Sequence, residues 1–214
     1  MRNRLPLFIL KMVLLPGSEV VLRVFEPRYK NLLQDCLKRK MPFGVVYCKD
    51  PKREQETMAQ VGCLANILDH TPYEDGTFLV RVEGGERFRV EDMQVAKRGY
   101  FDCEMQPLEE DIDMALDDEI FDSIYQLLEI YLDLLSEIDP EMVDELPDDM
   151  SGLDLTYAVL DYMALSDDAR QKALEIRSLK SRCEYCLSLL RKEIERLRFL
   201  LSDMDDDVAA GQMN

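Results

Sequence analysis

The chain has 214 residues, enough for one domain or two, and at 47% hydrophobic it can bury a core of useful size. It carries 26 Lys/Arg against 44 Asp/Glu, a formal charge of −18, which opposes binding to nucleic acid or anionic membranes unless the charge is segregated. No apolar run reaches the ~18 residues of a membrane helix, and one histidine excludes most His-based metal and triad chemistry.

The charge is segregated. Residues 1–107 hold 17 basic and 15 acidic side chains, whereas residues 108–214 hold 9 and 29. Two structural units are therefore expected. The first apolar stretch is broken by Pro6, Lys11 and Pro16 and is followed by no small-residue cleavage site, so it reads poorly as a signal peptide. The cysteines are scattered at Cys36, Cys48, Cys63, Cys103, Cys183 and Cys186, which suits reduced, buried thiols and a cytoplasmic location.

Leu5 to Leu10 reads as a strand, and its Pro6 points to a sheet edge or a strand start. Pro16-Gly17 marks a turn, and Glu19 to Glu26 is rich in β-branched residues, the next strand. Pro27 suits the first position of a helix, and Tyr29, Leu32, Leu33, Cys36 and Leu37 then recur at spacings of three and four. Lys38, Arg39 and Lys40 suit that helix's C-terminal end. Phe43 to Cys48 and Val61 to Leu68 read as buried strands, separated by a polar loop over 50–59. Phe78 to Val90 reads as a hairpin with a three-residue Gly84-Gly85-Glu86 turn, which sets Val82 opposite Phe88 and Val80 opposite Val90. Tyr100 to Met105 closes a set of short strands suggesting a small, closed or strongly curved sheet.

The second half reads as helices. Leu116 through Ile138 carries a long apolar stripe, and Pro140 ends it. Leu153 to Leu165 is a shorter helix. Ser166 is an N-cap, with Asp167 and Asp168 in the first turn. The last helix aligns Leu179, Cys183, Cys186, Leu190, Ile194, Leu197 and Leu201 in a packing seam. The expected division is 1–107 for the strands, 108–202 for an acidic helical bundle and 203–214 for a disordered tail. A short, ordered junction is expected over Met105 to Asp113, where no Gly/Ser-rich linker occurs.

The runs LPLFIL (5–10), VLLPG (13–17), VLRVFEPRY (21–29), PFGVV (42–46), VGCLANI (61–67) and GGERFRV (84–90) together point to a family. The chain resembles the substrate-binding (N-terminal) domain of Lon proteases, in the stand-alone form found in bacteria. ALSDDARQKALEI and the last long helix resemble the family's helical part, so the likeness spans roughly residues 4–200. It implies an α+β fold, a PUA-like β-barrel followed by a C-terminal α-helical bundle. It implies no enzyme, because the ATPase and Ser-Lys peptidase modules of Lon follow this region and no GxxxxGK[ST] occurs.

The expected function is non-catalytic binding of exposed or unfolded polypeptide segments, as an adaptor in proteolysis, with no cofactor, metal, nucleic acid or membrane partner. Polypeptide recognition needs an apolar groove or a free sheet edge. The first strand is one candidate edge, which singles out Leu5, Leu7 and Phe8, together with Arg28 and Tyr29 at the strand-to-helix junction. The groove between barrel and bundle is another candidate. Arg28 and Tyr29 also have a structural reading, in which Tyr29 packs below the barrel and Arg28 pairs with an acidic neighbour such as Glu26. The competing function is RNA binding, since PUA-like folds elsewhere bind RNA, and net charge argues against it; an unrecognised hydrolase is a third and weaker candidate. Cys183 and Cys186 form a C-x-x-C, yet they lie inside a helix on its apolar seam with no second pair, so core packing is the better reading. His70 reads as a surface-loop residue. The acidic run over 108–169 reads as the solvated face of amphipathic helices.

Overall fold

A computed structural model of the chain describes residues 4–111, 118–140, 150 and 152–211. Internal contacts divide it into two units, residues 1–110 with 160–177, and residues 111–159 with 178–214. The first holds 20 Lys/Arg against 21 Asp/Glu and the second 6 against 23, so the charge segregation follows the structural division.

Six strands build the first unit: β1 (Leu5–Leu10), β2 (Glu19–Val24), β3 (Phe43–Tyr47), β4 (Val61–Pro72), β5 (Phe78–Val95) and β6 (Phe101–Pro107). They are ordered β2-β5-β4-β3-β1-β6, and β5 also pairs with β6. Only β1 and β3 run parallel to each other. Both are apolar along almost their whole length because both faces are buried. One face contributes Phe8, Phe43, Val45, Val80 and Val82 to a core under helix α1 (Pro27–Arg39). The other contributes Leu7, Ile9, Val46, Phe88 and Val90 to a second core.

The expected hairpin over 78–90 does not form. β5 continues through Gly84-Gly85 as one strand, pairing with β2 and β4 along its first part and with β6 along its last. The alternation does not run unbroken: a bulge between Gly84↔Ala65 and Arg87↔Cys63 shifts the register, so Val80 and Val82 face the core under α1 whereas Phe88 and Val90 face the second core. Gly84 serves close backbone approach instead. Gly17 N donates to Gly84 O (2.8 Å), Gly84 N donates to Ser18 O (2.9 Å), and a methyl group on Gly84 would overlap Leu15 O.

Two other expectations change. The polar stretch over 50–59 contains a short helix, α2 (Glu54–Thr57). Helix α5 (Asp167–Glu175), expected in the bundle, groups with the sheet unit. Ser166 caps it as expected, accepting from Ala169 N. The buried Arg87 guanidinium on β5 donates to the carbonyls of Leu174 and Ile176, both at 2.7 Å, where the helix ends and its carbonyls lack intrahelical partners. The Glu110 carboxylate lies 2.6 Å from the same guanidinium. On the helix's other side, Gln171 donates to Val61 O (3.1 Å) and Asp168 accepts from Lys49 (2.5 Å).

The second unit contains α3 (Asp118–Ile138), most of α4 (Gly152–Tyr162) and α6 (Leu179–Gly211). Ile124, Leu128 and Tyr131 of α3 and Cys183, Cys186, Leu190, Ile194 and Leu197 of α6 are buried, in line with the apolar stripes of the sequence. The helix α6 continues to Gly211, through most of the segment expected as a tail. Leu116, Pro147 and part of the 105–113 junction lie outside the described residues. All six cysteines are unpaired and buried, and burial pushes the Cys183 and Cys186 thiols up to about 11 and about 12. No helix among the described residues is long and apolar enough to cross a membrane.

Candidate binding groove

The first strand is not a free edge. β1 pairs with β3 on one side and β6 on the other, and Leu5, Leu7 and Phe8 are buried. Tyr29 is buried too, with its ring 4.0 Å from that of Phe8 and its hydroxyl donating to Ile9 O (3.0 Å). Burial pushes the Tyr29 phenol up, so it stays a neutral donor. Arg28 donates to Glu26 (3.0 Å) and forks onto Glu54 (2.8 and 2.5 Å), with its guanidinium 4.5 Å over the Tyr29 ring. Four of the five residues singled out from the sequence are therefore core, and the fifth ties α1 to α2. For Leu5, Leu7 and Phe8 the source is Pro6, which suggested an edge, yet a strand can hold a proline wherever that residue's nitrogen faces no ladder acceptor. Tyr29 and Arg28 instead match their structural reading, the one packed in the core and the other paired with Glu26.

Free edges lie elsewhere. β2 pairs with β5 alone, and Val21 on it is 61% exposed. The other edge belongs to β4. Its pairing with β3 stops at Phe43↔Ala65, whereas β4 continues to Pro72 against β5. Three residues decide where β3 begins. Lys40 ends α1 in a left-handed conformation (φ 53°), its N–H returning to the carbonyls of the last turn. Met41 follows, and Pro42 has no N–H to carry the ladder on toward Asn66. The edge of β4 from Asn66 onward is thus left without a strand partner among the described residues.

Beside that edge lies a groove of about 550 Å³. Leu37, Met41 and Pro42 form one wall, and Ile67, Leu68 and His70 the other. A bulge between Ile67↔Val82 and Asp69↔Arg81 leaves Leu68 without an opposite residue and turns it outward, 42% exposed. Asp69 accepts from His70 N (2.7 Å), and His70 lies on the strand, not in a loop. Cys36 lines the groove, but burial pushes its thiol up to about 12, so it offers no thiolate. Apolar side chains beside an unpaired strand edge can hold an extended chain by main-chain hydrogen bonds and side-chain burial. Sequence reasoning missed these residues because the absence of a neighbour leaves no local pattern. The one available signal was Pro42, which forbids β3 from starting earlier.

The chain can now be set beside known proteins. The profile of the family described as "ATP-dependent protease La (LON) substrate-binding domain" matches residues 4–192. The chain is 27% identical over 190 residues to the Lon protease of Methylocella silvestris, covering 87% of this chain and 23% of that protein. It is 26% identical over 189 residues to Lon protease 1 of Hydrogenovibrio crunogenus, again covering 23% of the relative. It spans about a quarter of the length of these relatives. Among solved structures, the Lon N-terminal domain protein from Xanthomonas campestris is 30% identical with a TM-score of 0.65, over 87% of this chain and 98% of that one. The N-terminal domain of Mycobacterium avium complex Lon protease shares the fold, with a TM-score of 0.67 at 14% identity over 90% of this chain and 98% of that one. On a match that takes in nearly all of the chain, it belongs to the family of LON substrate-binding domains.

Proposed function

We propose that this chain is a non-catalytic recognition module that binds exposed or unfolded polypeptide segments, and that it serves proteolysis as an adaptor. The family supports the substrate-binding part of this reading. The observation that carries the location is the groove beside β4, where an unpaired strand edge and an apolar wall coincide. We read the circuit of pairings β5-β4-β3-β1-β6-β5 as the PUA-like barrel that holds this edge rigid. A bound segment adds as a strand to β4 and seats an apolar side chain against Leu68 and Met41. The edge of β2 presents Glu19 and Arg23 beside Val21, the charged outer pattern of a strand protected against pairing.

The test is fluorescence anisotropy with a labelled, reduced, unfolded polypeptide. Leu68→Asp places a charge against the bound apolar residue and weakens binding roughly tenfold or more, the effect of losing about one apolar contact. Val21→Asp on β2 leaves binding unchanged. Equal affinity of L68D and the unaltered protein, or loss of binding in V21D alone, overturns the assignment.

A further inference from the structure

We propose that the segments taken by the β4 groove are apolar and carry Asp or Glu on their C-terminal side. This rests on the polypeptide-binding reading and adds both a charge preference and a direction to it.

Direction follows from the sheet. β3 runs antiparallel to β4 and occupies its edge only as far as Ala65. A segment that extends this ladder antiparallel to β4 enters opposite Thr71 and His70 and finishes opposite Asn66. Its C-terminal end therefore arrives beside Lys40-Met41-Pro42, where α1 turns into β3.

Charge follows from what stands at that end. Lys38, Arg39 and Lys40 are exposed and none forms an ion pair among the described residues, but of the three only Lys40 lines the groove, Arg39 lying beside Asp35 and Tyr100 in a separate hollow. By contrast, Arg4, Arg28 and Arg98 of the same unit each hold a carboxylate. The negative end of the helix dipole accounts for Lys38 and Arg39 locally. It does not account for Lys40, which lies past the last turn at φ 53°, a conformation that favours glycine or asparagine. A lysine held there stands in the wall of the groove. At the opposite end, Asp69 is the only carboxylate among the lining residues. It repels an acidic residue on the N-terminal side of the segment and so reinforces the order apolar first, acidic second. The overall charge of the chain would draw in basic segments, but near neutrality in the sheet unit leaves these local charges to decide.

The experiment uses the full chain and four labelled peptides of equal length that share one apolar β-forming centre. One has Glu on the C-terminal flank, one has Glu on the N-terminal flank, one has Lys on the C-terminal flank, and one has Gln on both. One exposed ion pair, to Lys40, gives a preference of roughly threefold for the C-terminal Glu peptide over the other three. That preference shrinks as salt is raised, and it is lost in Lys38→Glu/Lys40→Asn, where asparagine suits the left-handed cap. Equal binding of all four peptides, or preference for the Lys peptide, overturns this proposal and leaves polypeptide binding standing. Failure of all four to bind, together with failure of the unfolded polypeptide, overturns the binding reading itself.

Discussion

Gly84→Ala gives the sharpest test of the packing. In a strand interior, replacing glycine by alanine ordinarily stabilises by about 0.5–1 kcal/mol, through lost chain entropy in the unfolded state. Gly84 is not in the left-handed region, so its backbone raises no objection to a side chain. The neighbour does. The new methyl would overlap Leu15 O and lie 2.8 Å from Leu15 C, both backbone atoms, where carbon atoms ordinarily rest at about 3.5–4 Å. The 14–18 segment must retreat by about 1 Å, and this lengthens the Gly17 N to Gly84 O and Gly84 N to Ser18 O bonds, now 2.8 and 2.9 Å, beyond useful range. Stranding buried backbone groups costs about 1–3 kcal/mol each, and Leu14 and Leu15, both buried, move with them. The net expectation is destabilisation by about 3 kcal/mol or more. Gly85→Ala is the control, because its methyl would meet only the Asn66 amide nitrogen at 2.9 Å, the end of a side chain that can swing away. Hydrogen exchange of the β5 amides reads both, and roughly a hundredfold rise in opening is expected for G84A alone. Stability of G84A at or above that of the unaltered protein would refute the close-approach account of this glycine.

Arg87→Met leaves the carbonyls of Leu174 and Ile176 and the Glu110 carboxylate without their cation, at a cost of about 3–5 kcal/mol; exchange protection in α5 should fall first, and unchanged protection there would show that Arg87 does not hold the helix. Cys183→Ala and Cys186→Ala should each lose about 1–2 kcal/mol as small buried groups, with melting insensitive to chelator or reductant; stoichiometric zinc would contradict this. Hydrogen bonds from Lys49 and Tyr47 hold the Asp168 carboxyl below its usual range. A depressed carboxyl stabilises above its unfolded pKa of ~3.9 and loses that contribution as pH falls through the lower folded value. The gap in urea midpoint between the unaltered protein and Asp168→Asn should therefore be open at pH 7 and close in strong acid, and an equal gap at both pH values would count against it.

Much of this protein is local and was legible as such. The spacing of Tyr29, Leu32, Leu33 and Cys36 sets the buried face of α1, and the serine before two aspartates caps α5. The seam of α6 follows from its heptad-like leucines and cysteines, and the charge division follows from counting. Each of these depends on residues a few positions apart. The remaining features depend on which distant segment lies alongside. Two adjacent glycines signal either a turn or a backbone pressed close, and only the arrival of Leu15 at Gly84 decides between them. Helix α5 has the same appearance in sequence wherever it docks, and it joins the sheet unit because a buried guanidinium 87 residues away meets its last carbonyls. The groove is the extreme case. It exists because β4 outruns β3 past Ala65, and an edge left unpaired is set by where another strand stops, something no residue on that edge encodes.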